Sequence, residues 1–356
     1  MLRLIASGSV CFLLTLSAMA QTRARVVASF PERPNGMQVL AAAPSALLVS
    51  RWGGGIRLYD VHDENAPRFA GALDDERLAI SATLTRDFVY TVGWMRRSVE
   101  RDPQGNVLFG LNIIDCADLT KPTILASVAL PVGTPQRVTT SGTMAYAFTF
   151  DSKAVAPDAE TSAGHLYVFD LSDPAKPKVR GRLETQGTAS DLYVEGKYLC
   201  LPEKQHRIHL DVIATTGSAL VVIDVRNPDH PVEIGRMDVS FDTSAVAGNC
   251  VYLDSIGDGI TVVSVKQPTK PRIIATIPMP RGQRFLAASG QRLFCVGNGP
   301  TGGRIQVIDV SHPSHPKTTV TLDLPVNNTI RAVAALSEKS LAVYDDSAKL
   351  SFITIE

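Results

Sequence analysis

An all-β fold, a seven-bladed ring of four-stranded antiparallel sheets, is predicted by three observations. Six strand-like phrases recur along the 356-residue chain: IRLYDV (56–61), LNIIDC (111–116), LYVFDL (166–171), LVVIDV (220–225), ITVVSV (260–265) and IQVIDV (305–310). Each is followed by a proline seven residues after its fifth position, at Pro67, Pro122, Pro177, Pro231, Pro271 and Pro316. A seventh copy, LSFITI, occupies 350–355. An internal period of about 40 to 55 residues, built from short strands, marks a radial β-repeat, the β-propeller.

Taken in order, residues 1–20 have the pattern of a signal peptide. Met1-Leu2-Arg3 gives a basic start, Leu4 to Leu16 an apolar stretch, and Ala18-Met19-Ala20 a small-x-small cleavage site before Gln21. Ser7, Gly8 and Ser9 dilute that stretch, which is short for the roughly 20 apolar residues of a membrane span. The expected product is therefore exported, periplasmic or extracellular, with no transmembrane segment in the mature chain. Residues 21–356 form one propeller, at about 48 residues per blade.

The fourth repeat shows the strand pattern: ASDLYV (189–194), KYLCL (197–201), ALVVIDV (219–225) and VEIGRMDV (232–239), separated by turn residues. Its first three strands are aliphatic, as strands buried on both faces should be, and the fourth alternates with charge, as an outer edge should. The seventh repeat has three strands, about 329–335, 340–345 and 349–355. The candidate for its missing outer strand is RVVASF (25–30), which is similar to the fourth-strand phrases RFAGAL (68–73) and RIIATI (272–277). Pairing beside 349–355 closes the ring and covers two edges that would otherwise template aggregation.

Formal charge is balanced, 35 basic against 35 acidic residues, which gives no footprint for nucleic acid or an anionic membrane. Cys116, Cys200, Cys250 and Cys295 fall in predicted strands of different blades without C-x-x-C spacing. An oxidising compartment permits disulfides, but the pattern favours buried thiols acting as small apolar residues.

The strand-and-turn phrases DLSDPAKP (170–177), DVRNPDHP (224–231) and DVSHPSHP (309–316) resemble the LVIVD-repeat family. The match weakens at DVHDENAP (60–67) and DCADLTKP (115–122), which lose the first proline, and at SVKQPTKP (264–271), which loses the Asp. The resemblance implies a β-propeller of bacterial exported proteins and brings no shared set of catalytic residues.

The recurrent Asp is expected to cap the turn into the outer strand by accepting backbone N–H bonds, with proline pre-setting the turn. GNGPTG (297–302) matches G-x-G-x-x-G, but the strand RIQVIDV follows where a dinucleotide site needs a helix, so a hairpin loop is expected. G-x-S-x-G, a phosphate-binding loop and H-E-x-x-H are all absent.

Three consecutive connections between second and third strands are long: 94–107, 151–163 and 202–216. They are expected to raise a polar wall on one sector of one face, either as tolerated insertions or as a binding surface. Within it, Trp94, Arg96 and Arg97 offer an aromatic and cationic patch for a sugar, carboxylate or protein, unless Trp94 packs on its own loop. Glu203, His206, His209 and Asp211 form an E-x-x-H-x-x-H-x-D run, either a solvated loop or a divalent-metal ligand set. No other cofactor is expected. On the same face, Gln38, Arg137, Asp191, Asp242, Arg284 and Arg331 stand at the starts of six inner strands. They form a mixed-charge ring at the channel mouth, satisfying one another or lining a polar pocket.

The function expected from these features is a non-catalytic scaffold presenting that face to a protein, glycan or cell-envelope partner. The alternative is a hydrolase or lactonase at the channel mouth, since residues scattered one per blade leave no linear motif.

Overall fold

The protein is described here by a computed structural model, for residues 23–32, 38–51, 55–74, 79–94, 108–151, 163–209, 212–282, 284–299, 302–324 and 329–356. Among these, every regular element is a strand, and no helix is long and apolar enough to cross a membrane. The leader expected at residues 1–20 lies outside them.

The first strand, β1 (Ala24–Pro31), belongs to the last blade. Blade one is β2 (Gln38–Ala43), β3 (Ala46–Arg51), β4 (Ile56–Asp60) and β5 (Arg68–Leu73). Blade two is β6 (Ala79–Leu84), β7 (Phe88–Trp94), β8 (Phe109–Asp115) and β9 (Thr123–Ala129). Blade three is β10 (Thr134–Ser141), β11 (Met144–Asp151), β12 (Ala163–Asp170) and β13 (Lys178–Thr185). In blade four the inner strand is split into β14 (Thr188–Ala189) and β15 (Tyr193–Glu195), followed by β16 (Tyr198–His209), β17 (Val212–Asp224) and β18 (Val232–Asp238). Blade five is β19 (Thr243–Ala247), β20 (Cys250–Ser255), β21 (Gly259–Ser264) and β22 (Arg272–Ile277). Blade six is β23 (Arg284–Ser289), β24 (Arg292–Gly299), β25 (Gly302–Asp309) and β26 (Lys317–Asp323). Blade seven is β27 (Ile330–Ala335), β28 (Ser340–Asp345), β29 (Lys349–Ile355) and β1.

Seven hydrophobic clusters fill the seven blade-to-blade interfaces. Alternation along a strand sends successive residues to opposite faces, so each blade serves two clusters. In β3, Leu47 packs toward blade seven with Tyr344 and Phe352, whereas Leu48 packs toward blade two with Leu84 and Val89. This explains why the second and third strands are largely apolar on both faces, and why the cluster between blades seven and one closes the circle.

Register identifies β1 as the fourth strand of blade seven. In blade one the pairing runs Asp60↔Arg68, Tyr59↔Phe69, then slips by one residue to Leu58↔Gly71. β29 and β1 repeat it: Thr354↔Arg25, Ile353↔Val26, then Phe352↔Ala28. A bulge at the same rung marks the same structural role. Beyond β1, Glu32 is buried, donates its N–H to Ala348 O at 2.6 Å, accepts the Tyr59 hydroxyl, and faces Arg57 Nε at 3.5 Å.

The recurrent Asp performs the expected turn capping. Asp60, Asp115, Asp170, Asp224 and Asp309 each accept, through Oδ1, the N–H of the residue two positions on, at 2.8–3.0 Å. The turns of blades two, four and five pack on the outer strand of the preceding blade. A Cβ on Gly71, Gly181 or Gly235 would collide with the carbonyl of Leu119, Pro228 or Pro268 respectively. Hydrogen bonds hold several of these carboxyls below the ordinary range: from Ser172 on Asp170, Arg226 on Asp224, and Ser311 on Asp309. A depressed folded-state value means stability that is complete above the unfolded value, near pH 4, and is lost as pH falls through the folded one. Replacing Asp170, Asp224 and Asp309 with Asn should therefore lower the Tm at pH 7, and the gap to wild type should narrow in thermal melts at pH 3.

Cys200, Cys250 and Cys295 lie in strands as expected, whereas Cys116 follows the end of β8 and donates its N–H to Asp87 O at 2.9 Å. All four are buried and free. Burial pushes the thiols of Cys116, Cys200 and Cys295 up to about 12. A thiol-disulfide reagent at pH 8 should label these three only at the rate of global unfolding, since the thiolate is the reactive form.

Candidate functional site

Each inner strand starts on one face of the ring, the face that also carries the hairpins between second and third strands. The capped Asp turns lie on the opposite face. Four of the six sequence-predicted mouth residues, Arg137, Asp191, Asp242 and Arg284, come together around one cavity of about 410 Å³. They arrive from blades three, four, five and six.

Local irregularity brings them there. Ladder pairing slips between Pro135 and Arg137 at the start of β10, and the inner strand of blade four is interrupted between Ala189 and Tyr193. Three residues, Ser190 to Leu192, span the gap between the rungs Ala189↔Glu203 and Tyr193↔Cys200, opposite only Leu201 and Pro202. The extra residue turns Asp191 out of the ladder and into the channel, the usual consequence of a bulge.

Arg137 is anchored on main chain: Nε donates to Ser190 O at 2.7 Å and Nη1 to Gln136 O at 2.8 Å. Asp191 accepts the Leu192 N–H at 2.8 Å and the Tyr193 hydroxyl at 2.6 Å. That hydroxyl also lies 2.9 Å from Ser244 O, joining blades four and five. Burial is the larger influence on Asp191 and raises its carboxyl above the ordinary range, against the pull of Arg137. Arg284 is committed elsewhere: Nη2 and Nε donate to Asp254 at 2.7–3.1 Å, and Nη1 donates to Pro280 O. Asp242 accepts the Ile256 N–H at 2.8 Å, and Lys204 Nζ stands 3.9 Å from its other oxygen.

The remaining predicted residues are dispersed. Arg331 sits at a pairing slip at the start of β27, its side chain 59% exposed and 4.0 Å from Asp346, away from the cavity lining. Gln38 begins β2 and Trp94 ends β7, opposite Phe109; their side chains, together with Arg96 and Arg97, lie outside the described residues.

The long connection expected at 202–216 is corrected: it is not a loop. β16 and β17 continue pairing past the blade, from Glu203↔Ala219 to His209↔Val212, with one bulge at Gln205/His206. Ladder hydrogen bonds and the strand-forming residues Val212, Ile213, Thr215 and Thr216 override the polar composition. The hairpin arm so formed projects beside the cavity. Glu203 is fully buried at its base, where it accepts from Arg236 Nη1 at 2.9 Å. It thus serves an ion pair, while the side chains of His206 and His209, and Asp211, lie outside the described residues. Among the described residues no group of three or more His, Cys, Asp or Glu is placed to hold a metal. In GNGPTG, expected to be a hairpin loop, Gly299 pairs with Gly302 as β24 meets β25, and Pro300 and Thr301 lie outside the described residues.

Comparison with known proteins agrees with this architecture. Residues 212–239 and 301–323 match the LVIVD repeat. These two stretches are similar to the LVIVD repeat. Each spans a third strand, its capped turn and the outer strand of a blade, β17–β18 and β25–β26; the copy in blade three lies outside the matched stretches. A comparison with curated proteins finds no match. Among solved structures, a chain of the Mitotic Checkpoint Complex is similar at 11% identity and TM-score 0.63, covering 93% of this chain and 96% of that one. Sqt1 of Saccharomyces cerevisiae is similar at 10% identity and TM-score 0.57, covering 92% and 98%. At such identities the likeness concerns the fold.

Proposed function

We propose that this protein is an exported, non-catalytic interaction scaffold that binds a protein partner on the face bearing the channel mouth and the blade-four arm. The observation that carries the reading is the asymmetry of the two faces. On the turn face each recurrent Asp is spent on its own turn, and the exposed apolar side chains beside the turns, Phe69, Val179, Val232 and Ile273, are dispersed one per blade at the starts of outer strands. The mouth face combines a polar cavity, a two-stranded arm beyond the ladder, and Ile256, a 54% exposed side chain at the cavity rim. The similar chain within the Mitotic Checkpoint Complex supports a role for such rings in assemblies.

A photo-cross-linking residue placed at Ile256 should capture a partner from cell-envelope extract, and the same residue at Ala175, on the turn face, should not. Capture at Ala175 alone would refute the reading. The hydrolase or lactonase reading draws on the raised carboxyl of Asp191 in the cavity, and it requires turnover that Asp191→Asn abolishes without changing the Tm.

A further inference from the structure

We infer that the channel-mouth cavity binds a small zwitterion of the α-amino-acid class, its ammonium held by Asp191 and its carboxylate by Arg137. The inference goes beyond the scaffold reading, since a protein docked on the rim and arm does not need the cavity filled.

The argument is one of charge accounting inside one enclosure. Asp254 and Arg284 neutralise each other. Asp242 has the Ile256 N–H and the Lys204 ammonium, which also lies over the Phe241 ring at 5.5 Å. Arg137 and Asp191 remain. Among the described residues neither makes an ion pair: Arg137 spends Nε and Nη1 on carbonyls, leaving Nη2 without a hydrogen bond, and Asp191 is met by one N–H and one hydroxyl.

Two opposite charges, each fixed in place by main chain, attract each other without making an ion-pair contact, and together they define what fits. An anion alone would face Asp191 and Asp242, and a cation alone would face Arg137. A neutral polyol would desolvate both groups without charge in return. A molecule carrying both signs on one α-carbon offers a charge-assisted hydrogen bond to each. Burial, which raises the Asp191 carboxyl, is offset when an ammonium arrives. Fixed groups also lower the ordering cost of binding. The volume, about 410 Å³, lies within the range of small-molecule sites, roughly 300–1,000 Å³. Phe285 and Ile256 supply an apolar wall for a side chain.

The test is isothermal titration calorimetry of the purified protein against each of the twenty L-amino acids. At least one should bind saturably. On the wild-type protein, its decarboxylated amine and its deaminated acid should each bind at least about tenfold more weakly, a difference of about 1.4 kcal/mol. Asp191→Asn and Arg137→Gln should each show the same loss with the Tm retained. If either variant fails to fold, the analogue comparison decides. No binding by any amino acid at millimolar concentration, or analogues that bind equally well, would overturn the inference. Either result with cross-linking at Ile256 retained removes this inference and leaves the scaffold reading standing; capture at Ala175 alone removes the scaffold reading and leaves this one.

Discussion

A chain lacking residues 23–32 should fail to unfold cooperatively and should aggregate at concentrations where the intact protein is monodisperse. The deletion strips the outer strand from blade seven and bares β29 along its whole length. It also removes Val26, Val27, Ala28 and Phe30 from the clusters on either side of that blade. Burying side chains of this kind contributes about 1–3 kcal/mol each, so the loss is on the order of 5 kcal/mol against a typical total of about 5–15. Glu32 goes too, which leaves Tyr59 with a buried hydroxyl and no carboxylate. A synthetic peptide of residues 23–32, added in excess, should restore a single cooperative melt. A truncated chain that melts as the intact one does would mean that closure by β1 contributes little.

Arg284→Met should cost about 3–5 kcal/mol at pH 7, the usual result of stranding one member of a buried ion pair. Asp254 is 1% exposed, and its charge is matched by the guanidinium. Its carboxyl already lies above the ordinary range because burial outweighs Arg284. Without the arginine it rises further. A raised folded-state value means that the folded form holds a proton the unfolded form releases, so the deficit should be greatest at neutral pH and shrink as acid protonates Asp254. Chemical denaturation at pH 7 and pH 5 measures this. A deficit independent of pH would assign the effect to packing, and Asp254→Asn combined with Arg284→Met should recover much of the loss.

The ring was legible because its cause is repetitive. Every blade needs strands that are apolar on both faces and a turn that closes the same way, and both requirements recur in the residues. The N-terminal strand was legible by resemblance to its counterparts, and the shared bulge at Val27 and Ala70 shows why the resemblance holds. The cavity was half legible. Arg137, Asp191, Asp242 and Arg284 stand where inner strands begin, a position fixed by the repeat. Asp254 and Tyr193 carry no such mark: Asp254 lies near the end of an ordinary second strand, and Tyr193 follows the interruption of the blade-four inner strand. The arm was misread because PEKQHRIHLDVIATT is polar and lacks strict alternation, although its β-branched return strand favoured pairing. What holds Asp191 in the channel is a single extra residue in a ladder, which no pattern of residue types announces.

The face assignment is tested most directly by hydrogen–deuterium exchange on the protein with and without its cross-linked partner. Protection is predicted at residues 188–194, 203–209, 241–244 and 255–257, around the mouth and the arm. Protection confined to the capped turns at 172–177, 226–231 and 311–316 would contradict the account.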